Sequence, residues 1–559
     1  MWFRKKIGYL GWLGANYGSC LQAFALYHRM RALGYTVEII GAGRFVSCRQ
    51  PPESLKETHP KKYDHERTRC TFVRFMKNHF DFSAALGELP AHGVISAAQR
   101  SLLKRYSAVV CGSDQIWKPG GFWFTAQQYL QFAPAEKRVS YAPSVGWNQI
   151  PKAYQSNCEL WRDWLSSIPY LSCREATGAR LISEATGRHV EHVVDPTMLL
   201  TPKEWLEQMT DPEYSDEIRG IVDSGRPYML AYLLDTAELY GLFVEKLAAH
   251  LNLEIVWLTG RDNTGPVQRN AADTNPAAFI SLINGASFVC ADGFHGCCLS
   301  LNFGRDFLYL SKNRNFEKQN DSRLQNLFSR FAVEGRVVTP DMLSRLKGKD
   351  GEFDFSVFSP IDHGQSQMLI AQGREESVAY LAGALEAATR SKGPLYRQYR
   401  ENLALIPPRK PAIMRIRRLV SALTPEFFCD KAVWESHVIR GCPALIPVKE
   451  SNPAQLFAYA PLGCVLERGE YYRLTVCFRI KTAATALYLH VYSHELGIWQ
   501  VVRRVPCHAN SDDSIWQTAD IEFIADRNGY DSFMIGASQV SGPGRYFAVK
   551  SIELAGIRR

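Results

Sequence analysis

One pattern near the middle of the chain constrains its fold more than any other: an apolar run, a glycine turn and a helical segment in direct succession. In residues 288–303, Phe-Val-Cys-Ala is followed by Asp-Gly-Phe-His-Gly and then by apolar residues at helical spacing. This order predicts a buried parallel strand, a tight turn and a helix whose first residues include His295. Ligands bind at the carboxyl ends of such strands, where a helix N-terminus offers free N–H groups to an anion. His295 is therefore a candidate functional residue, with an ordinary helix-start residue as the alternative, and Gly293 and Gly296 beside it allow close backbone approach.

The same order of strand, turn and helix recurs on both sides of this pattern. Lys6–Leu10 predicts a first strand, and a glycine-rich loop then leads into a predicted helix, Cys20–Leu33. Because this loop does not have GxGxxG spacing, a dinucleotide is not indicated. Further predicted strands are 37–40, 108–111, 138–142, 170–173, 190–194, 228–234, 254–258, 287–291 and 307–310. We expect an α/β fold with two doubly wound, Rossmann-like domains, residues 1–200 and 201–364.

Polar residues follow several of these predicted strands. Ser113, Asp114 and Gln115 follow 108–111, and Arg174 follows 170–173. Since the carboxyl ends of parallel strands share one edge of the sheet, these residues predict a lined cleft. Each has an alternative, because Asp114 also suits a turn or helix cap and Arg174 also suits a structural ion pair with Glu175 or another neighbour. The loop with Asn16, Tyr17 and Gly18 either cradles a charged group or only makes a tight turn.

Three segments follow the predicted α/β domains. Residues 365–389 predict a helix that returns towards the N-terminal domain, and residues 390–433 predict a basic linker with a helical patch. Apolar residues beside arginines in 413–419 suit either a solvated connector or a peripheral membrane contact through an amphipathic face. Residues 434–559 show short alternating runs between turn residues, which predicts an all-β sandwich. The segment 469–481 is similar to galactose-binding-like modules. The Trp and Tyr residues of such a module either stack on sugar rings or pack in its core.

The amino-acid composition limits which classes of binding partner and which cellular setting we expect. A net charge of +9 over 559 residues suits anionic small molecules or acidic glycans and gives no reason to expect nucleic acid. The fourteen cysteines lack repeated CxxC or Cys/His spacing, and the first residues lack a secretory signal pattern. We therefore expect reduced cysteines, a cytosolic setting and no metal site. No run approaches 18 apolar residues, so the sequence predicts no transmembrane helix.

With these features in view, the chain resembles the polysaccharide pyruvyl transferase family over residues 6–330. The motifs that carry the resemblance occur in the order of the family: Asn16-Tyr17-Gly18, Gly112-Ser113-Asp114-Gln115-Ile116-Trp117, Ser140-Tyr141-Ala142, Arg174-Glu175, Asp195-Pro196-Thr197, Asp292-Gly293-Phe294-His295-Gly296 and Asp321-Ser322-Arg323. The resemblance implies a glycosyltransferase-B-type fold with the active site between its halves. It also implies transfer of the enolpyruvyl unit of phosphoenolpyruvate onto a sugar as a cyclic ketal, without a further cofactor.

Matching the family motifs position by position suggests roles for individual residues. His295 matches the active-site histidine of the family and is expected to act as general acid and base. Arg174 matches an arginine that meets the anionic groups of the donor, and Lys312 stands about where some members place a donor-side lysine. Asp114 is expected to orient a sugar hydroxyl or a neighbouring cation. Gly293 stands where many members have arginine, so donor binding differs there.

The catalytic candidates are thus His295, Arg174 and Asp114, and the substrate-binding candidates are Asn16, Tyr17, Gly18, Ser113, Gln115, Gly293, Gly296 and Lys312. The resemblance implies a sugar or oligosaccharide acceptor, free or lipid-linked, in glycan assembly at the cytoplasmic side of a membrane. Two alternatives remain open. One is a metal-independent glycosyltransferase using a nucleotide sugar, since the sequence has no Asp-x-Asp pair. The other is a non-catalytic carbohydrate-binding protein.

Overall fold

The computed structural model describes residues 5–41, 48, 50–83, 101–120, 124–234, 236–259, 274–314, 316, 322–348 and 352–390, and the backbone of strands between 412 and 558. The strands of the first part are β1 Lys6–Leu10, β2 Thr36–Ile39, β3 Ala108–Cys111, β4 Arg138–Ser140, β5 Ser172–Cys173, β6 Glu191–His192, β7 Tyr228–Leu233, β8 Glu254–Thr259, β9 Phe288–Ala291, β10 Phe307–Leu310 and β11 Val337–Val338. The helices are Tyr17–Ala32, Ser54–Thr58, Pro60–His79, Cys158–Ser166, Ala176–Thr186, Pro202–Gln208, Asp216–Asp223, Ala237–His250, Pro276–Gly285, Phe294–Asn302, Ser322–Arg330, Pro340–Leu346 and His363–Arg390.

These strands form two parallel sheets. The first has the order β2-β1-β3-β4, and a parallel bridge from Val139 to Tyr170 continues it to the β5-β6 pair. The second has the order β8-β7-β9-β10-β11. In each sheet the strand order reverses direction at one point, so that the connections leave to opposite sides there. This point lies between β1 and β3 in the first sheet and between β7 and β9 in the second. The prediction of an α/β fold with parallel sheets is confirmed.

Strand side chains alternate between two cores, because successive residues of a strand point to opposite faces of the sheet. In β3, Ala108 and Val110 join a large core that also contains residues of the second sheet. Val109 and Cys111 instead join a separate core on the other face of the first sheet. Both faces are therefore covered, which explains the continuous apolar runs that identified these strands in the sequence.

The large core joins the two halves of the α/β part, and Tyr17 shows how. Its ring stacks on Phe279 with centroids 4.4 Å apart, and its hydroxyl donates a hydrogen bond to the Thr274 carbonyl at 2.7 Å. Tyr17 belongs to the helix that follows β1, whereas Phe279 lies on the helix Pro276–Gly285 of the second half. The halves are thus packed against each other through buried aromatic contacts.

The helix His363–Arg390, called the return helix below, contacts both halves. Arg374 donates through Nε to the Met198 carbonyl at 2.7 Å and through Nη2 to Asn302 Oδ1 at 2.6 Å. Tyr380 donates to the Ser140 carbonyl at 3.0 Å, at the end of β4. Among the described helices, none is long and apolar enough to span a bilayer.

Two features of the first half differ from the sequence-based expectation. The helix Pro60–His79 is not among the predicted elements, because its many charged residues obscure the apolar spacing. Cys48 and Cys70 form a disulfide, so the expectation of reduced cysteines is wrong for this pair. Seven other cysteines in the α/β part are free: Cys20, Cys111, Cys158, Cys173, Cys290, Cys297 and Cys298.

Beyond residue 390 the described backbone consists of strands: Ala412–Met414, Trp434–Ile439, Cys442–Pro447, Gln455–Leu466, Tyr471–Lys481, Ala486–Ser493, Ile498–Pro506, Gln517–Ile524, Tyr530–Ser538 and Tyr546–Arg558. They pair in antiparallel fashion into a six-stranded and a four-stranded sheet. The strand Ala412–Met414 pairs with Tyr546–Arg558, which corrects the expected helical patch at these residues. The rest of the predicted linker 390–433 lies outside the described residues, apart from Arg390 at the end of the return helix.

Candidate active site

The candidate residues lie at the carboxyl ends of both sheets, where the connections diverge. Asn16 follows β1, Ser113 and Asp114 follow β3, and His295 follows β9. Arg174 comes directly after β5. Open α/β sheets bind ligands at this kind of position, because the diverging loops leave a crevice between them.

His295 belongs to the second half but lies against the first. It occupies the first turn of the helix Phe294–Asn302, which β9 positions through a short turn at Gly293. Its side chain is 15% exposed, and its Nε2 atom lies 3.7 Å from Asp195 Oδ2 of the first half. Burial lowers the pKa of His295, and the nearby Arg174 and Arg323 act in the same direction, whereas Asp195 opposes them. The imidazole is therefore neutral at pH 7.

Arg174 and Asp195 form a buried ion pair behind this histidine. Arg174 Nη1 lies 3.0 Å from Asp195 Oδ2, and both side chains are almost completely excluded from solvent. Burial by itself raises the pKa of Asp195, but His295, Arg174 and hydrogen bonds from Thr197 outweigh it and lower the pKa. Arg174 also lies 4.3 Å from the ring centre of Phe294, the neighbour of His295. The pair is thus held by both halves of the molecule.

Several polar atoms of this cluster have no hydrogen-bond partner within the described part of the chain. They are Arg174 Nε and Nη2 and His295 Nε2, and all are buried. Buried donors are rarely left unpaired in native proteins, since each costs about 1–3 kcal/mol. The two guanidinium donors and the imidazole nitrogen, which donates or accepts according to its tautomer, are therefore suited to receive an anionic or polar ligand.

Glu175 has a structural role beside this cluster. Its Oε1 atom accepts hydrogen bonds from Val145 N and Gly146 N, both at 2.8 Å, and from the Ser144 hydroxyl at 3.1 Å. These bonds anchor the loop after β4. Arg174 Nε lies 3.8 Å from Glu175 Oε2, which is an ion-pair distance and too long for a hydrogen bond. The pair with Asp195 is therefore the closer of the two.

Asp114 has a strained backbone at the end of β3. Its φ angle is 111°, in a region that residues other than glycine rarely adopt. Its Oδ1 atom accepts a hydrogen bond from Gln115 N at 2.7 Å, and Ser113 Oγ accepts one from Arg174 Nη1 at 3.4 Å. Such strain costs about 1–3 kcal/mol and clusters at functional sites. The turn therefore brings Ser113 and Asp114 next to Arg174.

The loop after β1 has structural roles that the sequence left open. Asn16 caps the following helix by accepting a hydrogen bond from Ser19 N at 2.8 Å, and Tyr17 is part of the core between the halves. A Cβ atom on Gly18 would overlap the His295 ring, with its Cγ atom at 2.7 Å. Gly18 thus lets His295 approach the first half closely.

The remaining predicted residues differ in their surroundings. A Cβ atom on Gly296 would lie 2.8 Å from Ala291 Cβ, so close packing explains this glycine. Among the described residues, a Cβ atom on Gly293 would meet Leu234 alone, at an ordinary 3.6 Å. Lys312 is exposed on the segment after β10, one strand away from the loop that leads to His295. Gln115 is half-buried close to Gly146.

Two residues of the cluster were not among our predicted site residues. Asp195 follows β6 in the same way that Asp114 follows β3, so its position at a strand end was a usable signal. Arg323, at the start of the helix Ser322–Arg330, lowers the pKa of His295, and its place in the family motif Asp321-Ser322-Arg323 was the usable signal. Among the residues that the structure describes, no group of three or more His, Cys, Asp or Glu side chains is arranged to hold a metal ion.

Solved structures with partial similarity fall into two groups. UDP-GlcNAc 2-epimerase from Neisseria meningitidis bound to UDP-GlcNAc aligns at 10% identity and a TM-score of 0.34, covering 72% of this chain and 99% of that one. S. aureus MnaA with UDP aligns at 12% identity and a TM-score of 0.36, covering 69% of this chain and 98% of that one. In the second group, BiXyn10A CBM1 aligns at 12% identity and a TM-score of 0.18. The alignment covers 26% of this chain and 92% of that one. The fold assignment rests on the strand order given above.

A family model identifies the chain more directly. No curated protein matches the sequence. The model of the family described as polysaccharide pyruvyl transferase, however, matches residues 16–313, just over half of the chain. The matched range includes Gly18, Arg174, Asp195 and His295, the residues that meet between the two halves. The chain therefore belongs to the polysaccharide pyruvyl transferase family and is an enzyme of that type.

Proposed function

We propose that this enzyme transfers the pyruvyl unit of phosphoenolpyruvate onto two hydroxyl groups of a sugar, forming a cyclic ketal and releasing phosphate. One observation carries the proposal: His295 of one half lies 3.7 Å from Asp195 of the other, which in turn holds Arg174. The donor has a phosphate and a carboxylate, and a planar guanidinium suits either group. An imidazole suits the proton transfers that ketal formation requires.

The proposed reaction balances without a further cofactor. The methylene carbon of the donor gains a proton and becomes a methyl group, while the first sugar hydroxyl attacks the central carbon and loses its proton. The bond between that carbon and the phosphate oxygen then breaks, and its electron pair leaves with the phosphate. The second hydroxyl closes the ring, and the released phosphate takes up its proton.

In this scheme His295 acts as the proton carrier. Because burial lowers its pKa, the imidazole is neutral at pH 7 and accepts the proton of the attacking hydroxyl. Asp195 stabilises the imidazolium that forms, since its carboxylate is 3.7 Å away and keeps its charge. In the same step the imidazolium supplies this proton to the methylene carbon, so that the carbon is protonated as the hydroxyl attacks. General acid–base catalysis of this kind contributes about 10²- to 10⁴-fold in rate.

Arg174 is proposed to bind an anionic group of the donor. Its Nη1 atom is used by Asp195, but Nε and Nη2 have no hydrogen-bond partner in the described part of the chain. Lys312 and Arg323 are proposed as further cations for the second anionic group, which offsets the absence of a side chain at Gly293. Asp114 is proposed to orient an acceptor hydroxyl, with Ser113 and Gln115 beside it.

The family implies a polysaccharide or sugar acceptor, and we propose a lipid-linked precursor at the cytoplasmic face of a membrane. We further propose that residues 434–559 form a β-sandwich that binds carbohydrate and that the basic segment 390–433 contacts the membrane. The antiparallel pairing of the strands into two sheets supports the first idea. Binding of a fluorescent acceptor glycan to the full chain and to residues 1–390 tests it, and equal affinity would contradict it.

Ligand-induced stabilisation tests the donor. Phosphoenolpyruvate at 100 times its Kd is expected to stabilise the protein by about 2.7 kcal/mol, measured by thermal unfolding. A panel of nucleotide sugars is titrated in parallel. Stabilisation by a nucleotide sugar alone would replace the proposed donor with that of a metal-independent glycosyltransferase.

A turnover assay tests the chemistry. The protein is incubated with phosphoenolpyruvate and candidate oligosaccharides, phosphate release is followed, and the acceptor is examined by mass spectrometry for the ketal. His295→Ala is expected to lower the rate about 10²- to 10⁴-fold. His189→Ala serves as the control, because His189 is exposed and its ring lies against Glu191. Equal background rates for wild type and His295→Ala would indicate a non-catalytic carbohydrate-binding protein.

A further inference from the structure

Tyr9 lies near the carboxyl end of β1 and is not part of the scheme above. It is the fourth residue of β1, and its side chain is completely buried. A Cβ atom on Gly112 would lie 2.6 Å from its hydroxyl oxygen, and one on Gly11 would lie 3.1 Å away. Gly11 and Gly112 are the first residues beyond β1 and β3. The hydroxyl therefore lies where the two connections of the first sheet diverge, the usual place for a ligand.

This hydroxyl has no hydrogen-bond partner within the described residues. Two other buried tyrosines do have one: Tyr17 donates to the Thr274 carbonyl, and Tyr141 donates to the Val194 carbonyl. The hydroxyl of Tyr129, in the core on the other face of the first sheet, also lacks one. An unpaired buried hydroxyl is unfavourable, so its presence at a strand end calls for a partner from outside the protein.

A short path of residues also links the Tyr9 hydroxyl to the unpaired donors of Arg174. Gly112, which borders its hydroxyl, is followed by Ser113, and Ser113 Oγ lies 3.4 Å from Arg174 Nη1. Arg174 Nη2 is likewise buried without a hydrogen-bond partner in the described part. Building on the proposed function, we infer that the Tyr9 hydroxyl binds the donor, by donating a hydrogen bond to an oxygen of the carboxylate or phosphate that Arg174 holds.

The phenol is chemically suited to this task. Burial raises the pKa of Tyr9 well above its ordinary value, and Cys111, Asp195 and Asp114 act in the same direction. The hydroxyl therefore keeps its proton at any working pH and acts as a donor. It adds a hydrogen bond to the anion without adding charge, whereas Gly11 and Gly112 leave the space that the ring needs.

The substitution Tyr9→Phe tests this inference, because it removes the hydroxyl and keeps the ring. The thermal midpoint without ligand is expected to stay unchanged or rise, since no protein hydrogen bond is lost. The affinity for phosphoenolpyruvate, measured by calorimetry, is expected to fall about 10- to 100-fold, the range for a hydrogen bond to a charged group. Tyr129→Phe is the matched control, because Tyr129 is equally buried but packs in the core on the other face of the first sheet.

The outcomes separate this inference from the proposed function. Wild type and Tyr9→Phe are titrated with phosphoenolpyruvate and, separately, with inorganic phosphate. Equal affinities in both proteins would overturn the inference and mean that the hydroxyl holds only a water molecule. An equal loss in Tyr129→Phe would overturn it as well, in favour of a structural effect.

If wild type binds phosphate but not phosphoenolpyruvate, the proposed donor is wrong, and the phosphate titration alone decides the role of Tyr9. If wild type binds neither, both proposals are wrong.

Discussion

At the scale of single residues, the site depends on how closely Gly18 and His295 approach each other. The helix Tyr17–Ala32 comes from the first half and His295 from the second, and only a residue without a side chain fits between them. A general base must be held within a fraction of an ångström of its working position. Gly18 therefore controls where the His295 ring lies against the first half.

We predict that Gly18→Ala lowers the rate of phosphate release about 10²-fold, because the new Cβ atom displaces the His295 ring. The thermal midpoint and the phosphate release rate are measured together. Gly383→Ala is the matched control, since a Cβ atom there meets no atom of the described residues within 4 Å. This control, in the return helix, is expected to keep full activity and gain about 0.5–1 kcal/mol. Full activity in Gly18→Ala would contradict the close approach.

We predict different losses of stability for alanine substitutions at Gly293 and Gly296, although the two glycines are only three residues apart. Gly296→Ala is expected to cost about 1–3 kcal/mol, because its Cβ atom would lie 2.8 Å from Ala291 Cβ in a packed core. Gly293→Ala is expected to change stability by less than about 0.5 kcal/mol, since its Cβ atom makes only an ordinary contact with Leu234. Urea unfolding of both variants measures the difference. Equal stabilities would show that the packing around Gly296 adjusts without cost.

At the scale of elements, the return helix supports the site from behind. Ser377 Oγ accepts a hydrogen bond from Val194 N at 2.9 Å, and Val194 is the residue before Asp195. The helix thereby fixes the backbone that presents the Asp195 carboxylate to Arg174 and His295. A helix that is distant in sequence thus holds one of the charges in the site.

We predict that Ser377→Ala destabilises the protein by about 1–3 kcal/mol, because it leaves the buried Val194 N–H unpaired. Ser366→Ala, in the same helix, is the control. Ser366 is equally buried, but its hydroxyl has no hydrogen-bond partner among the described residues, so its loss is expected to be neutral or stabilising. Chemical unfolding compares the two. A larger loss in Ser366→Ala would refute the assignment of these hydrogen bonds.

At the scale of the whole molecule, buried histidines link stability to pH. His28 and His192 both have a pKa lowered to about 4 by burial, and Arg330 of the second half adds to the effect at His192. Unfolded histidine has a pKa near 6.5, so between about pH 4 and 6.5 the unfolded chain binds more protons. Stability is therefore complete above about pH 6.5 and declines as the pH falls towards 4.

This decline is measurable by urea unfolding at pH 7, 6 and 5. The midpoint is expected to fall at each step, and His192→Gln is expected to show a shallower decline because glutamine does not protonate in this range. Asp195 contributes little between pH 5 and 7, since its lowered pKa in the folded protein and the ordinary value of 3.8 both lie below this range. An unchanged slope in His192→Gln would indicate that His192 is not buried in its neutral form.

Two truncations test which part of the chain forms the catalytic unit. Residues 1–390 keep both sheets and the return helix, and we expect them to fold cooperatively and bind phosphoenolpyruvate. Residues 1–362 lack the return helix, whose Ile370, Leu381 and Leu385 are completely buried. Loss of this helix exposes the apolar surface that it covers, so we expect aggregation, measured by light scattering. A soluble, active 1–362 fragment would contradict this role of the helix.

The local pattern of the sequence was sufficient to predict most strands of the α/β part, because a parallel sheet covered on both faces requires continuous apolar runs. It also predicted that His295, Arg174 and Asp114 follow strands, which placed them at the carboxyl edges of the sheets. The helix Pro60–His79 was missed, since its charged residues hide its periodicity. Pairing of Cys48 with Cys70 was missed as well, because connectivity does not follow from composition.

By itself, then, the sequence determined the two sheets, their polar edges and the family motifs, since each depends on residues close together in the chain. Only the tertiary structure decided which of these residues meet. Asp195 between Arg174 and His295, Gly18 against the imidazole and Tyr9 below them are contacts between distant segments. Such contacts depend on how two separately formed sheets pack through a shared core, and no local periodicity encodes that packing.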